Sequence, residues 1–287
     1  MKLTAALINA KFLEVIGEAS LGFFTYIGGS VVLLGRTLWG IVQLPWKRWG
    51  AAFLSWRWSR LTADRSWRLL ADQLERVGVA SFPLVFLTAL FTGVVLALQS
   101  AYQLQKLSAE TYISSLVALS MTRELGPVLT ALVMAGRVGA AITAELATMR
   151  VTEQIDALET LATDPVRYLA VPRLLALVIM LPILTVYADF IGILGGYLVG
   201  VYKLGVGSSQ YMNMTWDPLR LKDVFTGLFK SGVFAAIIST IACYEGFETT
   251  GGAEGVGRST TLSVVISFIL IITADCLFTA LFYFVFP

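Results

Sequence analysis

The stretch of sequence that decides the fold runs from Glu110 to Arg167, as an apolar span, a short charged segment and the start of another span. In order, it contains these polar landmarks: Arg123-Glu124-Leu125-Gly126-Pro127, Ala135-Gly136-Arg137, Thr143-Ala144-Glu145, Thr152-Glu153-Gln154-Ile155-Asp156-Ala157-Leu158-Glu159 and Asp164-Pro165. Small residues recur every four positions at Gly136, Ala140 and Ala144, a spacing that lets helices approach closely in lipid. Because a charge inside a span is costly, we expect Arg137 and Glu145 to be compensated or solvated.

The charged segment between the two spans has the pattern of a short amphipathic helix. Its apolar positions recur at helical spacing at Val151, Ile155, Leu158 and Leu161, and acidic residues occupy the opposite side. Such a helix on the end of a span is suited to docking on a soluble partner. Asp164 followed by proline then predicts an N-cap and the first residue of a new helix.

The composition is that of a membrane protein. Of the 287 residues, 57% are hydrophobic and 14% are charged, and the mean hydropathy is +0.77. A soluble domain carries roughly 25% charged residues. The chain contains no histidine, which removes the commonest general base and metal ligand. We therefore expect an all-α polytopic membrane protein that forms a single domain over residues 1–287, with no catalytic residues, metal or cofactor.

Basic residues set the expected topology. The segment 45–76 carries seven arginines and lysines with five tryptophans between them, a pattern typical of a cytoplasmic headgroup belt beside a membrane span rather than of a nucleic-acid site. Residues 108–125 are predicted to form a short outer helix or to re-enter the membrane. Residues 20–45 could either span or lie in the interface as an elbow, which makes 1–77 an N-terminal region and 78–287 the transmembrane core. Five spans are expected, at residues 78–105, 126–149, 172–202, 223–245 and 260–287.

A glycine pattern in the third span leaves two interpretations open. Gly192, Gly196 and Gly200 form two successive GxxxG steps on one helix face. This face could pack against a neighbouring helix of the same chain or against a second subunit.

The segment from Gly252 to Ser259 comes close to the phosphate-binding pattern GxxxxGK[ST], with arginine in place of lysine. It lies in a short loop between spans and lacks the surrounding nucleotide-binding domain that the mechanism requires. We therefore expect no ATPase site in this chain, so that energy for any transport comes from a partner or a gradient.

The landmarks, together with Ser108-Ala109-Glu110 before them and Pro172-Arg173 after them, resemble the MlaE/YrbE family of permeases of lipid-transporting ABC systems. The resemblance is continuous from about Leu96 to Arg173 and weaker beyond. It implies a homodimer in the bacterial cytoplasmic (inner) membrane that moves phospholipid or a related lipid between that membrane and envelope carriers. It also implies a separate ABC ATPase subunit, an Mce-domain substrate-binding protein and, in some systems, a STAS-domain protein.

The same resemblance suggests where the lipid and the ATPase bind. It favours Arg123 and Glu124 as polar lining of a headgroup cavity over a surface ion pair, and the outer end of the preceding span combines leucines with amide donors. The expected lipid-binding residues are Leu96, Gln99, Gln103, Leu104, Leu107, Arg123, Glu124 and Leu125. The expected ATPase-coupling residues are Glu153, Gln154, Ile155, Asp156, Leu158 and Glu159.

An alternative function of a different class is an ion-coupled carrier or an intramembrane enzyme. It would use the carboxylates within spans, Glu145, Asp189 and Asp275, because ionisable groups at membrane depth often mark ion pathways. Arg137 and Glu145 project within about 80° of each other on a helix, and could pair with each other through another helix or with Asp189 or Asp275.

Overall fold

The computed structural model describes residues 25–41, 65–107 and 109–285. Within those ranges the chain is helical with short connections and contains no strand. Most of the Trp/Arg-rich segment 45–76, from residue 45 to 64, lies outside the described residues. In these described ranges, five helical stretches are long and apolar enough to cross a membrane, and they are called here the first to fifth spans: Leu69–Leu104, Ile113–Val151, Val166–Lys203, Leu221–Phe247 and Gly252–Phe284. The predicted all-α polytopic membrane fold is therefore confirmed.

The five spans run alternately up and down, which gives the bundle two ends. The loop end carries the start of the first span and the connections 152–165 and 248–251. The far end carries the connections 105–112 and 204–220, and the latter includes a helix, Ser208–Trp216. The far-end helix is fixed to the second span by Ser115, whose hydroxyl donates a hydrogen bond of 2.6 Å to the carbonyl of Met214.

The second span is longer than expected. It includes Ile113–Ser120, which was predicted to form a separate outer or re-entrant helix, and runs on through a π-helical turn, Met121–Leu125, into Gly126–Met134. A second π-helical turn, Ala135–Gly139, leads to the last segment, Ala140–Val151. The 39 residues extend about 58 Å at 1.5 Å per residue, roughly twice the thickness of a hydrocarbon core. The prediction of a break before residue 126 was wrong.

Glycines bring the first and third spans into backbone contact. A Cβ atom on Gly93 would overlap the carbonyl of Gly192, and a Cβ atom on Gly195 would lie 2.5 Å from the carbonyl oxygen of Leu90. Gly196 and Gly200 instead pack against the buried ring of Tyr211 in the far-end helix. The GxxxG face is therefore occupied by contacts within the chain, as in the first of its two interpretations.

The N-terminal helix, residues 25–41, contacts the loop ends of two spans. Near its start, the ring of Tyr26 meets that of Tyr244 edge-on at 5.0 Å between centroids. Towards its end, a Cβ atom on Gly40 would lie 2.9 Å from a methyl group of Val171. Because Val171 and Tyr244 both lie within about two turns of the loop end, the helix lies across that end of the bundle. The interfacial and the spanning interpretations of residues 20–45 both stay predictions, since only residues 25–41 of that segment are described.

Candidate functional site

A buried lysine connects three spans at the far-end half of the bundle. Lys230, in the fourth span, is 1% exposed, and its ammonium group lies 2.7 Å from Glu124 Oε2 and 2.9 Å from Asp275 Oδ1. It also donates to Thr279 Oγ1 at 2.8 Å and to the Arg123 carbonyl at 3.3 Å. Its three N–H donors thus face four acceptors, so the cost of burying the charge is offset by pairing and hydrogen bonding.

The neighbouring arginine of the second span makes an ion pair of its own. Arg123 Nε and Nη2 both lie 2.8 Å from Asp223 Oδ1. The other oxygen of that carboxylate accepts the backbone N–H of Arg220 at 3.0 Å and so caps the start of the fourth span. One carboxylate therefore fixes both a helix end and the Arg123 side chain, which is half exposed.

The π-helical turn Met121–Leu125 and a glycine opposite it position these charges. A Cβ atom on Gly227 would overlap the carbonyl of Thr122, so only glycine allows the fourth span to approach this turn so closely. Lys230 lies one helical turn after Gly227 and so is held against Glu124. π-Helical turns within α-helices are found disproportionately at functional sites.

Around these residues lies a cavity of about 580 Å³, called here the charged cavity. Its volume is within the range of small-molecule sites. Four cationic side chains and two carboxylates line it, and Asp275 contacts Lys230 behind the wall. The lining consists of Arg123, Glu124, Arg220, Lys222, Asp223, Thr226, Lys230, Thr279, Phe282 and Tyr283.

An apolar cavity of about 320 Å³ begins at the next residue of the same π-helical turn. Leu125 lines this apolar cavity, whereas Glu124 lines the charged one. The other lining residues belong to the first span: Phe91, Thr92, Val95, Leu96 and Gln99. One turn of the second span thus presents a charged wall and an apolar wall at adjacent positions.

Of the eight residues expected to bind lipid, five line one of the two cavities. Arg123 and Glu124 line the charged cavity, and three others line the apolar cavity: Leu96, Gln99 and Leu125. Gln103 is exposed and lines neither cavity among those described, and Leu104 packs against a small core at the far end. The side chain of Leu107 lies outside the described part of the chain.

Sequence reasoning missed the central residues of the charged cavity. Lys230, Asp223 and Thr279 were not among the residues expected to form a site. A lysine well inside a span, with a carboxylate in the following span, was the signal that could have identified the cluster, because membrane-embedded charges are normally paired.

Arg137 and Glu145 meet other partners than those expected. Arg137 donates to the hydroxyl of Ser81, in the loop-end half of the first span. Glu145 pairs with Arg173 at 3.0 Å and, more distantly, with Arg76 at 3.9 Å. The proposed pairings with each other, Asp189 or Asp275 are therefore not seen, since the two residues face the loop ends of the first and third spans.

The three carboxylates of the alternative function do not converge. Glu145 and Asp275 each pair with cationic side chains in different halves of the bundle. Asp189 is buried against Gly126, and its Oδ1 atom has no hydrogen-bond partner among the described residues. In the same residues, no group of three or more histidine, cysteine or acidic side chains could hold a metal ion.

The segment between the second and third spans contains the predicted short helix, Gln154–Thr160. Ile155 is buried in the main core and Leu158 packs against it, whereas Leu161 is 74% exposed. Asp156 pairs with Arg150 at the end of the second span. The remaining residues expected to contact an ATPase, Glu153, Gln154 and Glu159, are exposed.

The start of the third span also agrees with its prediction. The carboxylate of Asp164 accepts the backbone N–H groups of Val166 at 2.9 Å and Arg167 at 3.4 Å. Asp164 is therefore the predicted N-cap, with Pro165 at the first helical position.

Comparison with known proteins matches residues 70–281 to the family Permease MlaE. A "Probable ABC transporter permease protein" of Rickettsia felis is 54% identical over 215 residues, which cover 75% of this chain and 83% of the relative. The "Intermembrane phospholipid transport system permease protein MlaE" of Haemophilus influenzae is 35% identical over 272 residues, covering 94% and 97%. "Protein TRIGALACTOSYLDIACYLGLYCEROL 1, chloroplastic" of Arabidopsis thaliana is 37% identical over 253 residues, covering 84% and 72%. Because the match covers most of the chain and nearly all of the five spans, this chain belongs to the MlaE family of ABC transporter permeases.

Proposed function

We propose that this chain is the transmembrane subunit of an ABC system that moves phospholipid, or a related lipid, between the bacterial inner membrane and envelope lipid carriers. The observation that carries the proposal is the pair of adjacent cavities, one charged and one apolar, on a single π-helical turn. A two-tailed lipid needs both kinds of surface at once. The name of the Haemophilus influenzae relative supports phospholipid as the substrate class.

The charged cavity supplies what a phosphate headgroup needs. The guanidinium of Arg123 is half exposed, and arginine presents a planar fork of donors that matches phosphate. Glu124 and Asp223 are already paired with Lys230 and Arg123, so their repulsion of an anion is reduced. On the apolar side, each buried CH₂ of an acyl chain contributes about 0.8 kcal/mol.

The energy and the other partners come from separate proteins in this proposal. The loop end faces the cytoplasm, where the segment around Gln154–Thr160 contacts the ATPase subunit through its exposed acids and Leu161. A second copy of the chain completes the permease, an Mce-domain protein receives or delivers lipid at the far end, and a STAS-domain protein accompanies the ATPase in some systems. The chain itself carries no catalysis, and residues 1–77 form its interfacial elbow region.

The lipid site is tested by photo-crosslinking in membranes of phosphatidylethanolamine and phosphatidylglycerol. A photoreactive residue replaces Thr226, which lines the charged cavity, or Phe225, which lies on the same turn but is 69% exposed and outside it. Capture of phospholipid, measured by mass spectrometry, is expected to be several-fold greater at position 226. Equal capture at both positions would mean contact with bulk bilayer only and would overturn the site.

The coupling segment is tested by the double substitution Glu153→Lys and Asp156→Lys in the full-length chain. Reversal of two exposed charges is expected to weaken co-purification of the ATPase subunit from membranes and to reduce lipid transport. The single surface pair of Asp156 with Arg150 is worth at most about 1 kcal/mol, so membrane insertion should be retained. Asp217→Lys at the far end is the control, and unchanged ATPase recovery with the double variant would contradict the assignment.

A further inference from the structure

A second set of charged side chains lines a groove at the loop-end half, remote from the charged cavity. The groove, of about 180 Å³, lies between the start of the first span and the last part of the second. We call it the loop-end groove, and it is lined by Gln73, Arg76, Val77, Arg137, Val138, Ala141, Ile142 and Glu145. Nothing in the proposed lipid cavity at the far end requires these residues.

The charges of the loop-end groove are unbalanced. Glu145 forms an ion pair with Arg173 at 3.0 Å, and Arg76 lies 3.9 Å from the same carboxylate. Arg173 does not line the groove, whereas Arg76 does. Arg137 is half buried, and the hydroxyl of Ser81 is its one hydrogen-bond acceptor among the described residues. Asp72 and Glu75 border a separate depression that Arg76 shares, and do not line the groove. Among the described residues, the groove is therefore lined by two arginines, Arg76 and Arg137, and by one carboxylate, Glu145, which already pairs with Arg173.

An arginine that lies this far inside a membrane span needs an anionic partner. Its five N–H donors are in a fixed planar arrangement, and one neutral acceptor satisfies only part of them. The second span places Arg137 about 21 Å from its loop end and Glu145 about 9 Å from it, a range that covers the boundary between headgroups and acyl chains. The anion available in quantity at that boundary is the phosphate of a lipid headgroup.

We propose that the loop-end groove binds the phosphate of a phospholipid from the leaflet at the loop end, with Arg137 as the main ligand and Arg76 at the rim. The acyl chains lie against the apolar face of the first span, where Val79 is 62% exposed and Leu84 is 40% exposed. The groove is thus a second lipid site, at the opposite end of the bundle from the charged cavity. This proposal does not depend on the proposed lipid site at the far end, because the two sites share no lining residue.

The experiment places a photoreactive residue at Gln73, which lines the groove, or at Ala71, an exposed neighbour on the same helix turn that does not. The full-length protein is reconstituted in vesicles of phosphatidylethanolamine and phosphatidylglycerol, and captured lipid is identified by mass spectrometry. Capture of phospholipid is expected at position 73 in clear excess over position 71. Equal capture would overturn the proposal, whatever happens at positions 225 and 226.

Two variants then test how the lipid is held. Arg137→Met is expected to lower capture at position 73 about tenfold, the effect of losing a charge-assisted hydrogen bond, whereas Arg258→Met, which removes an exposed arginine at the same end, should leave capture unchanged. Ala141→Trp should also lower capture, because it fills the groove without changing its charge. This variant keeps the test valid if Arg137→Met fails to fold, and full capture with it would overturn the proposal.

The source of the phosphate is separated by competition. Excess inorganic phosphate should not reduce capture at position 73, because the lipid is held by its chains as well as by its headgroup. Diacylglycerol, which has the chains without the phosphate, should not be captured above the level at position 71. Displacement by inorganic phosphate, or capture of diacylglycerol as efficient as that of phosphatidylglycerol, would each overturn the assignment to a phospholipid.

Discussion

The charged cavity and the loop-end groove both use an arginine of the second span, but the two arginines have very different surroundings. Arg123 is held by Asp223 beside a buried lysine that has two carboxylate partners of its own. Arg137, in contrast, donates only to the hydroxyl of Ser81 among the described residues. The first cluster is nearly neutral by itself and can be part of the folded framework before any ligand arrives. The second is cationic among the described residues, and in our proposal the phosphate of a lipid supplies its counter-charge.

The largest expected effect comes from breaking the neutral cluster at its centre. Lys230→Met leaves Glu124 and Asp275 facing each other without a cation, and removal of one partner from a buried pair typically costs about 3–5 kcal/mol. We expect a clearly lower thermal unfolding temperature of the purified protein in detergent. Lys203→Met, an exposed lysine at the end of the third span, is the control. An unfolding temperature equal to that of the parent would show that the cluster is not structural.

A smaller effect should follow from separating the walls of the cluster without touching a charge. Gly227→Ala places a methyl group against the carbonyl of Thr122, and such overpacking costs about 1–3 kcal/mol. The same change at Gly232, where a Cβ atom meets nothing within 4 Å, should be neutral. Both variants can be compared by thermal unfolding and by photo-capture at position 226. A destabilisation equal for the two glycines would point to helix propensity rather than to close approach.

The smallest effect is expected at the loop-end groove. Arg76 is 69% exposed and 3.9 Å from Glu145, so Arg76→Met should change the free energy of unfolding by less than about 1 kcal/mol. Arg173, whose side chain is 4% exposed, lies 3.0 Å from the same carboxylate and also donates to the carbonyl of Leu169 at 2.9 Å. Arg173→Met should therefore be the more destabilising of the two in the same unfolding assay. The reverse order would mean that Arg76 holds the ion pair together.

The sequence was sufficient for the number of spans, the loop helix and the N-cap at Asp164, because these depend on local composition and spacing. It failed for the start of the second span. Residues 108–125 were predicted to form a separate outer or re-entrant helix, whereas the second span continues through Arg123 and Glu124. These two charges pair with Asp223 and Lys230, which lie about a hundred residues later in the chain. Local hydropathy cannot predict an ion pair with a residue so far away in the sequence.

Contacts between residues remote in sequence also explain which site residues could be predicted and which could not. The family resemblance suggested Arg123 and Glu124 as cavity residues, and three of the other positions named with them, Leu96, Gln99 and Leu125, line the neighbouring cavity. It could not identify Thr279, whose hydroxyl donates to Glu124 Oε1 at 2.9 Å from another span. For Arg137 and Glu145, helical spacing predicted a shared side of the helix, and both do line one groove. Their actual partners depend on how the first and third spans dock.

The backbone contact of the first and third spans restricts how the permease can move. With Gly93 against Gly192 and Gly195 against Leu90, these two helices touch through their backbones at this level, and sliding there would drive carbonyl oxygens into Cα atoms. Nearer the loop end, side chains such as Phe82 and Tyr187 lie between them. We expect the two helices to move together where their backbones touch. We therefore expect a change that opens a lipid path to disturb this backbone contact less than the side-chain contacts of Lys230, which pairs with Glu124 of the second span and with Asp275 of the fifth.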